Sequence, residues 1–195
     1  MGGGLCLDFA NTVSKRKIPG EVCDHLSSYS DLLAFATQSL YFPAEFAPKL
    51  AAASQADPQA AAKAIESAHK LREAIYRTFV ACAEGRPAMA DDLKLIQAMT
   101  IEGWKHSWLT KAGPRYRWLL KRDETSQFDG VLWPIAHSAA DLLTSDRLNK
   151  VKMCEAETCA WLFLDESRNR SRRWCDMKVC GNREKARRYY QREHM

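Results

Sequence analysis

The chain has 195 residues, 46% hydrophobic and 27% charged, which is the balance of a folded globular protein with room for one domain plus a small module. No apolar run approaches the roughly 20 residues of a membrane-spanning helix. The opening MGGGLCLDFA has no basic segment ahead of its short apolar stretch, which Asp8 interrupts, so a cytoplasmic protein without a membrane partner is expected.

Charge is unevenly placed. Residues 165–195 hold ten Lys/Arg against five Asp/Glu, and the 19 of each sign elsewhere cancel, so the net +5 sits entirely in this tail. Such asymmetry points to a polyanionic partner, with a solvated basic face as the alternative.

In chain order, residues 1–148 read as a mainly helical domain. Its clearest helix begins at Asp57-Pro58, an N-cap acid followed by proline at the first helical position. Ile65, Ala68, Leu71, Ile75, Phe79 and Cys82 then recur at three- and four-residue steps up to Gly85 and Pro87. Asp91 starts a shorter helix through Leu93, Ile96 and Met99. Trp104, His106 and Trp108 alternate before Gly113-Pro114, and Tyr116, Trp118 and Leu120 alternate after it, which predicts a β-hairpin. Pro134 opens a further helix through Ile135, Ala139 and Leu142. The fold class is mainly α with a small β-hairpin.

Residues 149–195 follow another rule. Cys154-x4-Cys159-x15-Cys175-x4-Cys180 has two short cysteine pairs separated by a longer loop. Each pair lets one tight turn present two thiolates, and the loop brings both turns around one ion; four thiolates leave no position for a catalytic water. One structural Zn2+ per chain is expected, with an iron–sulfur cluster as the alternative for four thiolates. Gly181 is expected to supply a tight or left-handed backbone after the last ligand, and Asn182 to cap a helix from Arg183. Residues 160–164 read as an apolar strand that packs on that helix. Cys6, Cys23 and Cys82 read as small buried hydrophobes.

From Cys154 to Tyr189 this pattern, with Trp161, Asp165, Ser167, the SRNRSRRW run and the intact Cys180-Gly181-Asn182-Arg183, resembles the CGNR zinc-finger family. Upstream, Leu7-Asp8-Phe9-Ala10-Asn11-Thr12 and the helix entering the finger are similar to the ABATE-type domain that usually precedes it. The resemblance implies a bacterial, stress-related transcription regulator that binds zinc and DNA.

Arginine suits phosphate because its planar fork donates paired hydrogen bonds and keeps its charge. Candidate nucleic-acid contacts are therefore Arg168, Arg170, Arg172 and Arg173 before the second knuckle, and Arg183, Lys185, Arg187 and Arg188 after it. Trp174 is expected in the zinc core. The alternatives are pairing with the nearby acids, or a zinc-stabilised protein-interaction surface. In the helical domain Asp8, Asn11, Arg72 and His137 are polar groups in apolar settings. They are candidates for the wall of a small-molecule effector pocket, with capping and internal hydrogen bonds as the other reading. Gly2-Gly3-Gly4 lacks the lysine of a phosphate loop, and no HExxH or nucleophile elbow occurs, so an enzyme is not expected.

Overall fold

The structure, a computed structural model, describes residues 2–38, 46–120 and 128–193. Helices α1 (Leu5–Ala10), α2 (Tyr29–Gln38), α3 (Ala47–Ala56), α4 (Pro58–Ala83), α5 (Ala90–Lys105), α6 (Trp133–Leu143) and α7 (Asn182–Glu193) carry the fold. Three two-stranded antiparallel pairs accompany them: β1 (Val13–Ser14) with β2 (Cys23–Asp24), β3 (Ser107–Ala112) with β4 (Arg115–Leu120), and β5 (Val151–Met153) with β6 (Leu162–Leu164).

The long helix forms as its periodicity requires. The Asp57 carboxylate accepts from Ala60 N at 3.0 Å, and Pro58 sits where no intrahelical donor is needed. Its buried stripe from Ala61 to Phe79 includes Ala68, Leu71 and Ile75, all withdrawn from water. The short α1 is apolar on nearly every side, with Leu5, Cys6, Leu7, Phe9 and Ala10 buried, and it packs between α4 and α6. A helix with no solvent face belongs at the centre. The burial of Cys6 pushes its thiol up to about 12, so it is an inert core group, whereas Cys23, on the short β2 strand, is exposed and Cys82, near the end of α4, is half-buried, contrary to the sequence expectation.

Helix α5 is longer than the sequence pattern suggests and takes in Trp104, expected in the hairpin. The reason is a close crossing. A Cβ at Gly103 would lie 2.7 Å from Trp133 Cβ and 2.9 Å from His137 Nε2, so glycine lets α5 run one more turn against α6. The hairpin then starts at Ser107 and turns at Gly113 (φ +65°), pairing Ala112 with Arg115.

The β5–β6 hairpin is part of the main core. Leu162 and Leu164 on one face, together with Val151, join the cluster built by α1 and α4, while the alternate residue Phe163 faces the cysteines. The strand thus packs on α1 and α4, not on the helix that follows the finger as the sequence pattern suggested. The N-terminal glycines extend this arrangement: Gly2 O accepts from Leu164 N at 2.8 Å.

Candidate zinc centre and basic surface

The four tail cysteines converge. The Sγ atoms of Cys154, Cys159, Cys175 and Cys180 lie within 4.8 Å of one another, all four residues are buried, and none forms a disulfide. The Cys159–Cys175 and Cys175–Cys180 separations are 3.7 and 3.6 Å. A tetrahedron with Zn–S bonds of about 2.3 Å has edges of about 3.8 Å, so the donor set fits zinc in number, chemistry and size. Protonation follows the same logic. A thiolate at Cys154 is stabilised by S–H donation from Cys159 and Cys175, and in turn it holds the Cys159 and Cys175 thiols protonated. All four can ionise together only around a cation.

Local structure explains the convergence. The first knuckle closes with Cys159 N donating to Ala156 O at 3.2 Å, and Ala160 (φ +74°) turns the chain into β6. The second enters a π-helical turn, Met177–Gly181, capped by the Asp176 carboxylate, which accepts from Lys178 N and Val179 N at 2.7 and 3.0 Å. Asp176 is therefore the cap, and Asn182 (φ −68°, ψ −38°) already lies in the helix. Gly181 does not take left-handed backbone; a Cβ there would meet the sulfur of the exposed Met177 side chain, which would have to move aside.

Side chains remote in sequence brace both knuckles. Lys17 Nζ donates to the carbonyls of Cys154 (3.1 Å) and Ala156 (3.2 Å). Tyr76 Oη donates to Ala160 O at 3.2 Å, and Trp161 Nε1 to Val13 O at 3.0 Å. Trp174 packs against the cysteine cluster as expected. Nothing in the local pattern around Lys17 or Tyr76 marks these roles, because each depends on chain brought from far away.

The loop 165–175 is organised by Asp165, which is fully buried. Its carboxylate accepts from Lys152 Nζ (2.7 Å), Ser167 Oγ (2.5 Å), Ser167 N (3.1 Å) and Arg172 N (3.0 Å). Burial alone would raise its pKa, but these donors outweigh it and hold the carboxyl well below the usual range. Lys152 also donates to the carbonyl of Arg170, which has φ +48°. The basic loop has a fixed shape.

The eight candidate phosphate contacts divide into two groups. Arg172 bends inward: its guanidinium donates to Cys175 O at 2.7 Å and lies 4.7 Å from the centre of the Phe163 ring. Arg173 pairs with Glu155, Arg183 donates to Thr158, and Arg187 bridges Glu157 and the buried Glu184. Arg168, Arg170, Lys185 and Arg188 are exposed and make no side-chain hydrogen bond or ion pair among the described residues, although Arg188 lies one turn from Glu184 and helps hold its carboxyl below the ordinary value. Lys185, Arg188, Tyr189 and Arg192 are spaced i, i+3, i+4, i+7 and share one stripe of α7.

The four effector-pocket candidates have internal partners. Asp8 Oδ1 accepts from Gly2 N at 2.7 Å. Asn11 binds the Leu162 backbone with both ends of its amide. Arg72 makes a forked contact with Asp24, two bonds of 2.6 Å, and touches Glu73. His137 Nε2 lies 2.9 Å from Thr100 O at the α5–α6 crossing. None of them lines the open groove of about 470 Å³ between the end of α4 and the finger, formed by Glu84, Lys152, Arg172, Arg173 and neighbours.

Residues 3–146 match the family model of ABATE, described as "Putative stress-induced transcription regulator", and residues 150–193 match that of the CGNR zinc finger. No curated protein matches the chain. No helix among the described residues is long and apolar enough to cross a membrane. With the ligand set intact and of the right size, the four cysteines are the site of one structural Zn2+. The chain belongs to the ABATE family and ends in a CGNR zinc finger.

Proposed function

We propose that this protein is a cytoplasmic, non-enzymatic transcription regulator that grips duplex DNA with the basic surface of its zinc finger. The observation that carries the reading is the division among the tail cations. Four are engaged within the finger, while Arg168, Arg170, Lys185 and Arg188 project from a fixed loop and a helix without a side-chain hydrogen bond or ion pair among the described residues, Arg188 alone having an acid, Glu184, one turn away. Unpaired, pre-positioned guanidinium and ammonium groups bind phosphate without first breaking an ion pair. Zinc fixes the loop and helix relative to each other, so the cations form one pattern and not a loose tail.

The proposal does not extend to a small-molecule effector, because the polar residues that suggested one are already engaged internally. Fluorescence anisotropy of the zinc-loaded protein with labelled duplex DNA tests the reading. Binding should appear at about 50 mM salt and disappear when a chelator removes zinc. Salt-insensitive or absent DNA binding would favour a protein-interaction module instead.

A further inference from the structure

The finger is not the only unusual surface. Thirteen large hydrophobic side chains are exposed among the described residues, and eight of them fall within residues 89–118: Met89, Leu93, Ile101, Trp104, Trp108, Leu109, Tyr116 and Trp118. Scattered exposed apolar residues need no explanation, but a concentration in one segment does.

Their arrangement is regular. Met89 precedes the start of α5, and Leu93, Trp104 and then Ile101 lie along one edge of the buried stripe of Asp92, Ile96, Thr100 and Gly103, with Trp104 also touching His137. The hairpin continues from the end of that helix. Its register sets Leu109 opposite Trp118 and Lys111 opposite Tyr116, which places Leu109, Tyr116 and Trp118 on one face. Tyr116 and Trp118 are 67% and 61% exposed. A two-stranded ribbon is marginal in water without a packed face. This one has aromatic side chains and no described partner for them.

We infer that this helix-and-hairpin surface is where two copies of the chain associate about a two-fold axis. Trp108 alternates to the other face of the ribbon; buried aromatic side chains contribute about 150–250 Å² each, so the other seven residues at their exposures offer on the order of 800 Å². A stable interface needs about 800 Å² per partner, of which roughly 65% is apolar in homodimers, so this surface suffices without help. Charge agrees with a self-complementary contact. Asp91 pairs with Lys94, Glu102 with Lys105 and Asp92 with Arg77, so the helix presents no excess of either sign. Of the three hairpin cations, Lys111 and Arg115 are at the tip and Arg117 pairs in register with Thr110, and antiparallel pairing across a two-fold holds the two tips at opposite ends. The association is independent of the DNA-binding reading.

Sedimentation velocity of the zinc-loaded full chain from about 1 to 100 µM tests the inference, over the range where interfaces of this size commonly dissociate. The wild type should sediment at twice the 22.1 kDa chain mass at the upper end. Trp118→Glu on the hairpin and Ile101→Lys on the helix should each weaken self-association at least tenfold, with unchanged zinc content and helical signal. Should the hairpin variant disturb folding, Ile101→Lys reads the same surface from a stable helix. A wild type that remains a 22.1 kDa monomer throughout overturns the inference, as does a dimer that neither variant weakens.

Discussion

The side-chain amide of Asn11 is hydrogen-bonded at both ends to the backbone of Leu162. Nδ2 donates to the carbonyl and Oδ1 accepts from the N–H, each at 2.8 Å and both buried. Asn11 ends the first helix and Leu162 begins the strand between the two zinc knuckles, 151 residues later. In effect the amide stands in for a neighbouring strand. Removing it would leave a buried donor and a buried acceptor unpaired.

Asn11→Ala should therefore destabilise the protein by about 3 kcal/mol, since each buried orphan costs about 1–3 kcal/mol. Urea melts followed by both helical signal and Trp fluorescence check it. A loss below about 1 kcal/mol would mean that water or a neighbour replaces the amide.

Zinc removal should be felt beyond the finger. Structural zinc supplies on the order of 10–16 kcal/mol in comparable modules. Here the strand held by the metal also contributes Leu162 and Leu164 to the core built by α1 and α4. Chelation, or Cys175→Ser, should lower the melting temperature of the helical domain along with that of the tail. Calorimetry distinguishes this from two independent transitions, of which the upper would be insensitive to metal.

Arg172 and Arg173 are adjacent in sequence and differ in role. Arg172→Ala removes the donor to Cys175 O and the cover over Phe163, and should weaken zinc binding by about 10- to 100-fold, the usual range for groups that orient ligands. Arg173→Ala removes an exposed pair with Glu155, which contributes about 0–1 kcal/mol. Competition with a zinc-binding dye should separate the two variants. Equal effects would contradict the assignment.

Acid should expose the Arg72 contact. Burial alone would raise the pKa of Asp24, yet the forked bond from the buried Arg72 guanidinium, with a backbone donor, holds it below its ordinary value. A depressed carboxylate pKa contributes stability that is present above the unfolded value of about 3.9 and is lost as pH falls through the folded one. The stability gap between wild type and Asp24→Asn should thus be present at about pH 5 and shrink below about pH 4. Taking the difference cancels thiolate protonation, which both proteins share. A gap that persists unchanged to about pH 2 would show that Asp24 gains nothing from its charge.

How much of this was legible beforehand follows from the reach of each interaction. The cysteine ligands and the long amphipathic helix depend on spacings of a few residues, so Cys154, Cys159, Cys175 and Cys180 and the stripe from Ile65 to Phe79 stand out in the sequence. Asn11 and Arg72 stand out as polar residues in apolar settings, but their partners Leu162 and Asp24 are supplied by tertiary contact. A cavity wall and an internal hydrogen bond leave the same local trace. The tail arginines pose the same difficulty: Arg168 and Arg172 are alike in sequence, and only the fold turns one toward Cys175 and leaves the other in water. Gly181 looks like a left-handed position in sequence, whereas the turn Met177–Gly181 that it closes holds it in ordinary backbone.

The most direct test of the account is the salt dependence of duplex DNA binding, measured for the wild type and for Arg168→Ala/Arg170→Ala. About four unpaired cations should give a slope of log K against log salt near −3.6, and removing two should reduce it by about 1.8 while zinc content stays at one per chain. An unchanged slope in the double variant, or a wild type without salt-sensitive binding, would contradict the claim that the finger presents these residues to DNA.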